Sequence, residues 1–352
     1  MKVLHLPTDV GGNAYGLSRG ERELGLVSDV LYRSSSWLNY PADIALSNRS
    51  SKASKLFAAV SAAVRIPRKY NILHFNFGCS LIDFPVQGIN HWDLPLYKKQ
   101  KLFVTYNGSD ARMTFETMYP GKEKHPDYAG IHDPLYADAK QESIIKTRIK
   151  NFEKAGARFF ALNPDLVRCL PEGAEFLPYA VAGAVETMAY TPASGKLKIV
   201  HAPTDRIIKG TWHILPALNE LKKRYPDRFE VQLVEGMDNK SALQLYKSAD
   251  IIIDQLRAGW YGGFAVEAMK MGKPVVVYLN HEDMRFIPVQ MAKDCKEALI
   301  EADIDTIGHV LECCLHDEKL LRQKSAAGIE YVHTWHDPVK VARRVKTAYE
   351  ED

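Results

Sequence analysis

Short apolar runs recur along this chain, and stretches with helical spacing lie between several of them. In the first half the runs are VLHL (3–6), DVLY (29–32), NILHF (71–75), LFVTY (102–106), RFFAL (158–162) and EFLPY (175–179). In the second half they are KIVHA (198–202), FEVQLV (229–234), DIIID (250–254) and PVVVY (274–278). Runs this short and this apolar fit strands buried on both faces. Between them, residues 211–225 place Ile214, Leu218, Leu221 and Tyr225 at i, i+4, i+7 and i+11, which is one face of a helix. Strands alternating with helices predict an α/β fold with parallel sheets covered by helices.

A chain of 352 residues exceeds what one core usually serves, so two domains are expected. The segment GAVETMAYTPASGK (183–196) lacks periodicity and collects Thr, Pro, Ser and Gly. It reads as the linker. The expected domains are residues 1–185 and 186–336, with residues 337–352 as a terminal helix opening at Asp337-Pro338.

Composition excludes several classes. The net charge of +3 is too small to argue for nucleic acid. Cys79, Cys169, Cys295, Cys313 and Cys314 form no CxxC and no paired spacing. Neither a disulfide scaffold nor a zinc ribbon is expected, and a reducing, cytoplasmic compartment is. The opening MKVLHLPTDVGG is too weakly apolar for a signal peptide and reads as a first strand. No apolar run approaches the ~20 residues of a membrane span.

The stretch GWYGGFAVEAMKMGKPVVVY (259–278) carries one carboxylate, Glu267, among residues that otherwise read as buried. DIIID is a strand, QLRAGWYGG a loop at its carboxyl end, FAVEAMKM a short helix, and PVVVY the next strand. Ligands in open α/β sheets lie outside the carboxyl ends of the strands. Gly262 and Gly263 fall at the helix start, where bare N–H groups and the helix dipole favour an anion. Glu267 lies one turn on, where a ribose diol would donate to a carboxylate. A surface Glu beside a glycine turn explains the same letters equally well.

Three further loops follow strands. In HAPTDRIIKGT (201–211), Arg206 and Lys209 suit a diphosphate, and Thr211 is placed as the N-cap of the next helix. Solvated loop cations are the plainer reading. Pro216 predicts that this helix kinks or starts later. PTDVGGNAYG (7–16) places Gly11 and Gly12 before a helix, in a turn that is not GxGxxG. VTYNGSDAR (104–112) crowds Asn107, Ser109, Asp110 and Arg112 at a strand end, where sugar hydroxyls would find partners or a turn would simply form. His74 in LHFNFG (73–78) reads as a satisfied core histidine.

At this point the sequence resembles the GT-B glycosyltransferases, and within them family 4, the retaining nucleotide-sugar enzymes. The likeness covers nearly the whole chain. It is carried by HAPTDRIIKG and by Ala249-Asp250, Gly262, Glu267, Ala268-Met269 and Gly272-Lys273-Pro274-Val275. The N-terminal GG loop, HFNFG and NPDL (163–166) add to it.

The resemblance implies two Rossmann-like domains with parallel sheets facing across a cleft, and a terminal helix returning to the first domain. It implies sugar transfer from a nucleotide-diphosphate sugar, UDP- or GDP-linked, with retention and without metal, as in polysaccharide biosynthesis. By resemblance Glu267 binds the donor ribose, Lys209 and Arg206 hold the diphosphate with Gly262, Gly263 and Phe264, and Gly12 meets donor phosphate or sugar. Gly11, Asn107, Asp110 and Arg112 are then expected to face acceptor or sugar, and Arg206, Lys209, Glu267 and Asn107 to serve catalysis. Two departures stand out. Gly259 occupies the place of the family's first Glu, with Asp254 the nearest acid to replace it, and Asn107 stands near the family's usual His. A catalytically weak or inactive nucleotide-sugar-binding protein is the alternative, and an NAD-dependent oxidoreductase is disfavoured by the missing GxGxxG.

SKASKLFAAVSAAVRIPRKY (51–70) sets Lys52, Lys55, Arg65, Arg68 and Lys69 around Leu56, Phe57, Val60 and Val64. Such a basic amphipathic helix suits an anionic membrane surface, hence peripheral association on the inner face with a lipid-linked or glycan acceptor. A core-facing helix with a solvated basic face is the alternative.

Overall fold

The computed structural model describes residues 1–352 apart from 9, 34–39, 47–51, 182–185, 192–194, 238 and 352. Residues 183–185 and 192–194 of the expected linker, the expected boundary at 185, and residue 51 of the basic segment therefore lie outside the described residues. The chain divides into two units. One comprises Met1–Ala129, Tyr136–Ala182 and Asp337–Asp352; the other comprises Gly130–Leu135 and Gly183–His336.

The first unit holds β1 (Lys2–Leu6), β2 (Val27–Tyr32), β3 (Ile44–Ala45), β4 (Ile72–Asn76), β5 (Lys101–Tyr106), β6 (Arg158–Ala161) and β7 (Glu175–Phe176). They form one sheet in the order β3-β2-β1-β4-β5-β6-β7, and the pairings are parallel. Its helices are α1 (Asn13–Glu23), α2 (Lys52–Arg65), α3 (Phe115–Met118) and α4 (Ala139–Lys154). The strand interiors are largely apolar, as in Leu4, Leu6, Leu73, Phe75 and Val104, because helices cover such a sheet on both faces.

The second unit holds β8 (Leu197–His201), β9 (Phe229–Leu233), β10 (Ile251–Ile253), β11 (Val275–Val277) and β12 (Ile300–Glu301), in the order β12-β11-β10-β8-β9, again parallel. Its helices are α5 (Arg206–Lys209), α6 (Thr211–Arg224), α7 (Asn239–Lys247), α8 (Gly263–Lys270), α9 (Val289–Ala298), α10 (Ile307–His316) and α11 (Glu318–Trp335). The expected helical face of α6 is real: Ile214, Leu218 and Leu221 are buried in this unit's core.

The terminal helix α12 (Pro338–Glu350) belongs to the first unit. The Asp337 side chain caps it by accepting from Val339 and Lys340 N–H, and proline takes the first helical position. It packs on α1, where a Cβ on Gly20 would lie 2.0 Å from the Pro338 carbonyl oxygen, so only glycine fits. A buried polar chain pins it further. Tyr349 donates to Glu21 Oε1 (2.9 Å) and accepts from His74 Nδ1 (2.7 Å), and His74 Nε2 accepts from Thr105 (2.7 Å). Glu21 also accepts from His5 Nε2 and Ser28. Burial pushes the His74 pKa well below its ordinary value, so this histidine is a neutral link in the core.

Three local expectations are corrected. EFLPY pairs only at Glu175–Phe176, since Pro178 lacks the N–H a longer ladder needs. Thr211 is not the N-cap of α6. Gly210 takes that place at φ 77°, and the Thr211 hydroxyl turns inward to His201 Nε2 at 2.8 Å. Pro216 does not delay the helix, which begins at Thr211 and runs through it. The two-residue strands β3 and β12 carry too little pattern to be read from sequence. Among the described residues no helix is long and apolar enough to cross a membrane.

Candidate functional site

Strand order locates the two places where a ligand is expected. In the first sheet the order reverses between β1 and β4, and in the second between β8 and β10. At such a switch point the loops leave in opposite directions and open a crevice at the carboxyl ends of the strands. The loops concerned are residues 7–12 and 77–80 in the first unit, and 202–210 and 254–262 in the second.

In the second unit the two loops are stitched together. Leu256 N–H donates to Lys209 O at 3.2 Å. The Lys209 ammonium, largely buried, lies 2.7 Å from Asp254 Oδ1, and Asp254 is fully buried. The other oxygen, Asp254 Oδ2, accepts from Gly262 N–H at 2.9 Å. Asp254 therefore sits between the cation and the N-cap of α8. The N–H of Gly262 is used, while those of Gly263 and Phe264 take no partner among the described residues. Helix α8 thus opens with two free donors and a neighbouring ammonium, an arrangement that attracts an anion.

Glu267 lies one turn into α8 and is 9 % exposed. Its carboxyl forms no hydrogen bond or ion pair among the described residues. Burial pushes its pKa up to about 7, and Lys270 opposes the shift only in part. A buried acid without a partner costs stability, so it needs a reason beyond the fold. Phe264 packs its ring against Tyr246 at a centroid distance of 4.6 Å.

Arg206 stands differently from Lys209. Its guanidinium is half exposed and makes a two-pronged pair with Glu235, at 2.8 and 2.6 Å. Below these loops His201 is buried. Its Nδ1 donates to Ile253 O at 2.9 Å, and burial pushes its pKa down to about 4.

Gly259 is a glycine of necessity. Its φ is 71°, and a Cβ there would stand 2.8 Å from the Asn280 Cβ. A side chain at residue 259 is therefore disfavoured by the backbone and by Asn280.

In the first unit Gly11 and Gly12 both adopt left-handed φ, 69° and 66°. The carboxamides of Asn76 and Asn107 both donate to Val10 O, at 3.3 and 3.2 Å, and so fix the turn. The side of Gly12 is filled by the Tyr40 ring, whose atoms would lie 2.4–2.8 Å from a Cβ. Asp110 accepts from the N–H groups of Asn107 and Gly108, making a tight turn, and burial pushes its pKa up to about 6. Arg112 is buried and bonded through Nε to Asp165 Oδ2 at 2.7 Å; burial alone would lower its pKa, and Asp165 raises it. Two buried acceptors, the Oδ1 atoms of Asn76 and Asn107, have no partner among the described residues.

The structure thus brings Lys209, Gly262, Gly263 and Glu267 to one end of the second sheet. It brings Gly11, Asn107 and Asp110 to the equivalent end of the first, and commits Arg112 to an internal pair. Sequence reasoning pointed to Asn76 in LHFNFG and missed Glu235, Arg257 and Asp133 as partners. Arg257 alone left a signal, a cation in a loop at the carboxyl end of a strand.

No family model matches the chain, and no curated protein does. Solved structures do. The chain is similar over 99 % of its length to sucrose-phosphate synthase from Thermosynechococcus elongatus, covering 98 % of that chain at TM-score 0.61 and 17 % identity. It is similar over 99 % to HepE of Anabaena in complex with UDP, covering 99 % of that chain at TM-score 0.57 and 11 % identity. It is similar over its full length to UDP-GlcNAc 2-epimerase from Neisseria meningitidis bound to UDP-GlcNAc, covering 100 % of that chain at TM-score 0.51 and 15 % identity. With two parallel-sheet α/β units, these likenesses establish the GT-B fold.

Proposed function

We propose that this chain is a glycosyltransferase of the family 4 kind, moving a sugar from a nucleotide-diphosphate sugar to an acceptor hydroxyl with retention and without a metal. The observation that carries this reading is the first turn of α8. Free N–H groups of Gly263 and Phe264 and the unpaired carboxyl of Glu267 share the start of α8, and the Lys209 ammonium is tied to the N-cap of α8 through Asp254. Diphosphate oxygens suit the donors, and a ribose diol suits the acid. Both belong to one molecule, a nucleotide diphosphate. UDP in one fold neighbour and UDP-GlcNAc in another support a nucleotide-sugar donor, UDP- or GDP-linked.

The reaction needs charge placed on the leaving group. As the bond from the sugar's anomeric carbon to the diphosphate oxygen breaks, negative charge builds on that oxygen. Lys209 and the two N–H groups stabilise it without reorganising, which is the main catalytic term. Arg206 joins them by exchanging Glu235 for phosphate. The acceptor hydroxyl attacks the same face and passes its proton to the departing diphosphate, so no protein base is required and Asn107 in place of a histidine is tolerated. In the first unit Gly11, Gly12, Asn107 and Asp110 are the groups proposed to meet sugar or acceptor, while Arg112 stays paired with Asp165. The unpartnered oxygens of Asn76 and Asn107 accept from hydroxyls, which an anion could not supply.

The test is calorimetric titration with UDP, GDP, ADP and NAD, followed by product analysis with the corresponding nucleotide sugars. Binding of one nucleoside diphosphate, with sugar transfer that falls about 10²-fold in Lys209→Ala, is expected. Binding without transfer would establish the non-catalytic alternative, epimerised donor would place the chain with the epimerases, and binding of NAD alone would overturn the reading.

The membrane proposal has its own observation. In α2 the small residues Ala59, Ala62 and Ala63 face the core, while Phe57 is 69 % exposed and Val60 and Leu56 are exposed beside it. The large apolar side chains point outward among Lys55, Arg65, Arg68 and Lys69, which suits an anionic lipid surface and a lipid-linked acceptor. Co-sedimentation with vesicles containing phosphatidylglycerol, lost in Phe57→Ser, is expected. No sedimentation at low salt would remove the idea.

A further inference from the structure

The donor-side loops hold one more charged pair, and one of its members comes from far away in sequence. Arg257, in the loop after β10, is 6 % exposed, and Asp133 is 3 % exposed. Arg257 Nη2 lies 2.5 Å from Asp133 Oδ2. Its Nη1 donates to Ile207 O at 3.0 Å. Ile207 O also accepts from Gly210 N–H, which closes the turn that carries Lys209. Asp133 lies in Gly130–Leu135, six residues counted with the second unit although Ala129 and Tyr136 belong to the first.

A buried guanidinium needs its charge compensated. Removing the partner of such a pair leaves an isolated charge that the surroundings accommodate only by moving. Arg257 is planar, so its two bonded edges are fixed relative to one another. Holding one edge on Asp133 sets the other against Ile207 O. The loop at 205–210 is then held at four points: Arg257 on Ile207, Leu256 on Lys209 O, Asp254 on the Lys209 ammonium, and Glu235 on Arg206. Among the contacts made to Ile207 and Lys209, the one to Ile207 depends on a residue outside the two loops, Asp133.

We propose that Asp133 is a positioning residue for the anion-binding loop: through Arg257 it sets the place of the Ile207–Gly210 turn and hence of Lys209. This rests on the reading of Lys209 as the diphosphate cation. Asp133 touches no ligand itself. Its effect falls on the part of the nucleotide that Lys209 meets, so phosphate recognition depends on it and nucleoside recognition does not.

Two measurements on full-length Asp133→Asn test this. The first is amide hydrogen exchange without ligand. Faster exchange confined to Lys209, Gly210 and Leu256, with α6 and α8 unchanged, is expected; unchanged exchange at these three amides overturns the proposal whatever the protein binds. The second compares UDP with uridine by calorimetry. UDP is expected to weaken about tenfold and uridine to keep its affinity. Equal weakening of both would mean a general loosening of the unit and would also overturn it. Wild-type protein that binds no nucleoside diphosphate would instead sink the reading of Lys209, and the exchange result would still decide whether Asp133 sets the loop. Restoration of the UDP-to-uridine ratio in Asp133→Glu, which keeps the charge, completes the expected pattern.

Discussion

The two switch points have the same topology and opposite chemistry. At the first, glycines permit the turn, Tyr40 fills the space beside Gly12, and the charged groups are spent on the fold: Asp110 on its own turn, Arg112 on Asp165. Among the buried groups left unpartnered there are two carboxamide oxygens, both acceptors. At the second, what remains is two backbone donors and an unpaired buried acid, beside an ammonium held by Asp254. One end can receive hydroxyl groups and the other an anion with a diol attached. Equivalent positions in two Rossmann-like sheets therefore need not be equivalent sites; what distinguishes them is which polar groups the fold leaves unsatisfied.

Three substitutions probe that contrast. The largest effect is expected for Arg112→Ala, which leaves the Asp165 carboxylate buried and alone. A loss of about 3–5 kcal/mol in the first unit's stability, read by denaturant unfolding, should leave nucleotide binding by the folded protein unchanged. If binding falls with stability intact, Arg112 serves a ligand after all.

Glu267→Gln should do the reverse at the other switch point. With its pKa raised from 4.5 to about 7, Glu267 favours the fold in its neutral form. The stability it lends is fully present below pH ~4.5 and is lost as pH rises through about 7. The glutamine variant escapes that loss. At pH 8 it should be more stable by on the order of 2–3 kcal/mol while binding UDP more weakly. Wild-type affinity should in turn rise with pH through about 7, as the better acceptor forms. A stabilised variant with unchanged affinity would return Glu267 to a purely structural account.

The smallest effect belongs to Gly259→Glu, which places a carboxylate where the resemblance leads one to expect it. Its left-handed backbone and the Asn280 contact predict a loss of about 1–2 kcal/mol and no gain in transfer activity. Increased activity in an assay with the nucleotide sugar would show that the departure is a simple loss rather than a different loop.

Much of the fold was legible because burial leaves a local mark. Both sheets could be read from short apolar runs, α6 from its i, i+4, i+7 face, and α12 from Asp337-Pro338. Glu267, Gly262 and Gly263 could be found because a lone acid and paired glycines interrupt an apolar stretch. That residue 259 is a glycine could be read, but not why: that took its φ and the nearness of Asn280, 21 positions on.

Sequence by itself determined which residues are apolar, at what period, and where glycines and charges break the pattern, since these are properties of neighbours along the chain. Only tertiary structure decided what each charge does. Arg206 is paired by Glu235, Lys209 by Asp254, Arg112 by Asp165 and Arg257 by Asp133. Electrostatic partners are chosen by distance in space, and strand order, which brings residues 133, 207 and 257 together, is set by long-range pairing that no local pattern records.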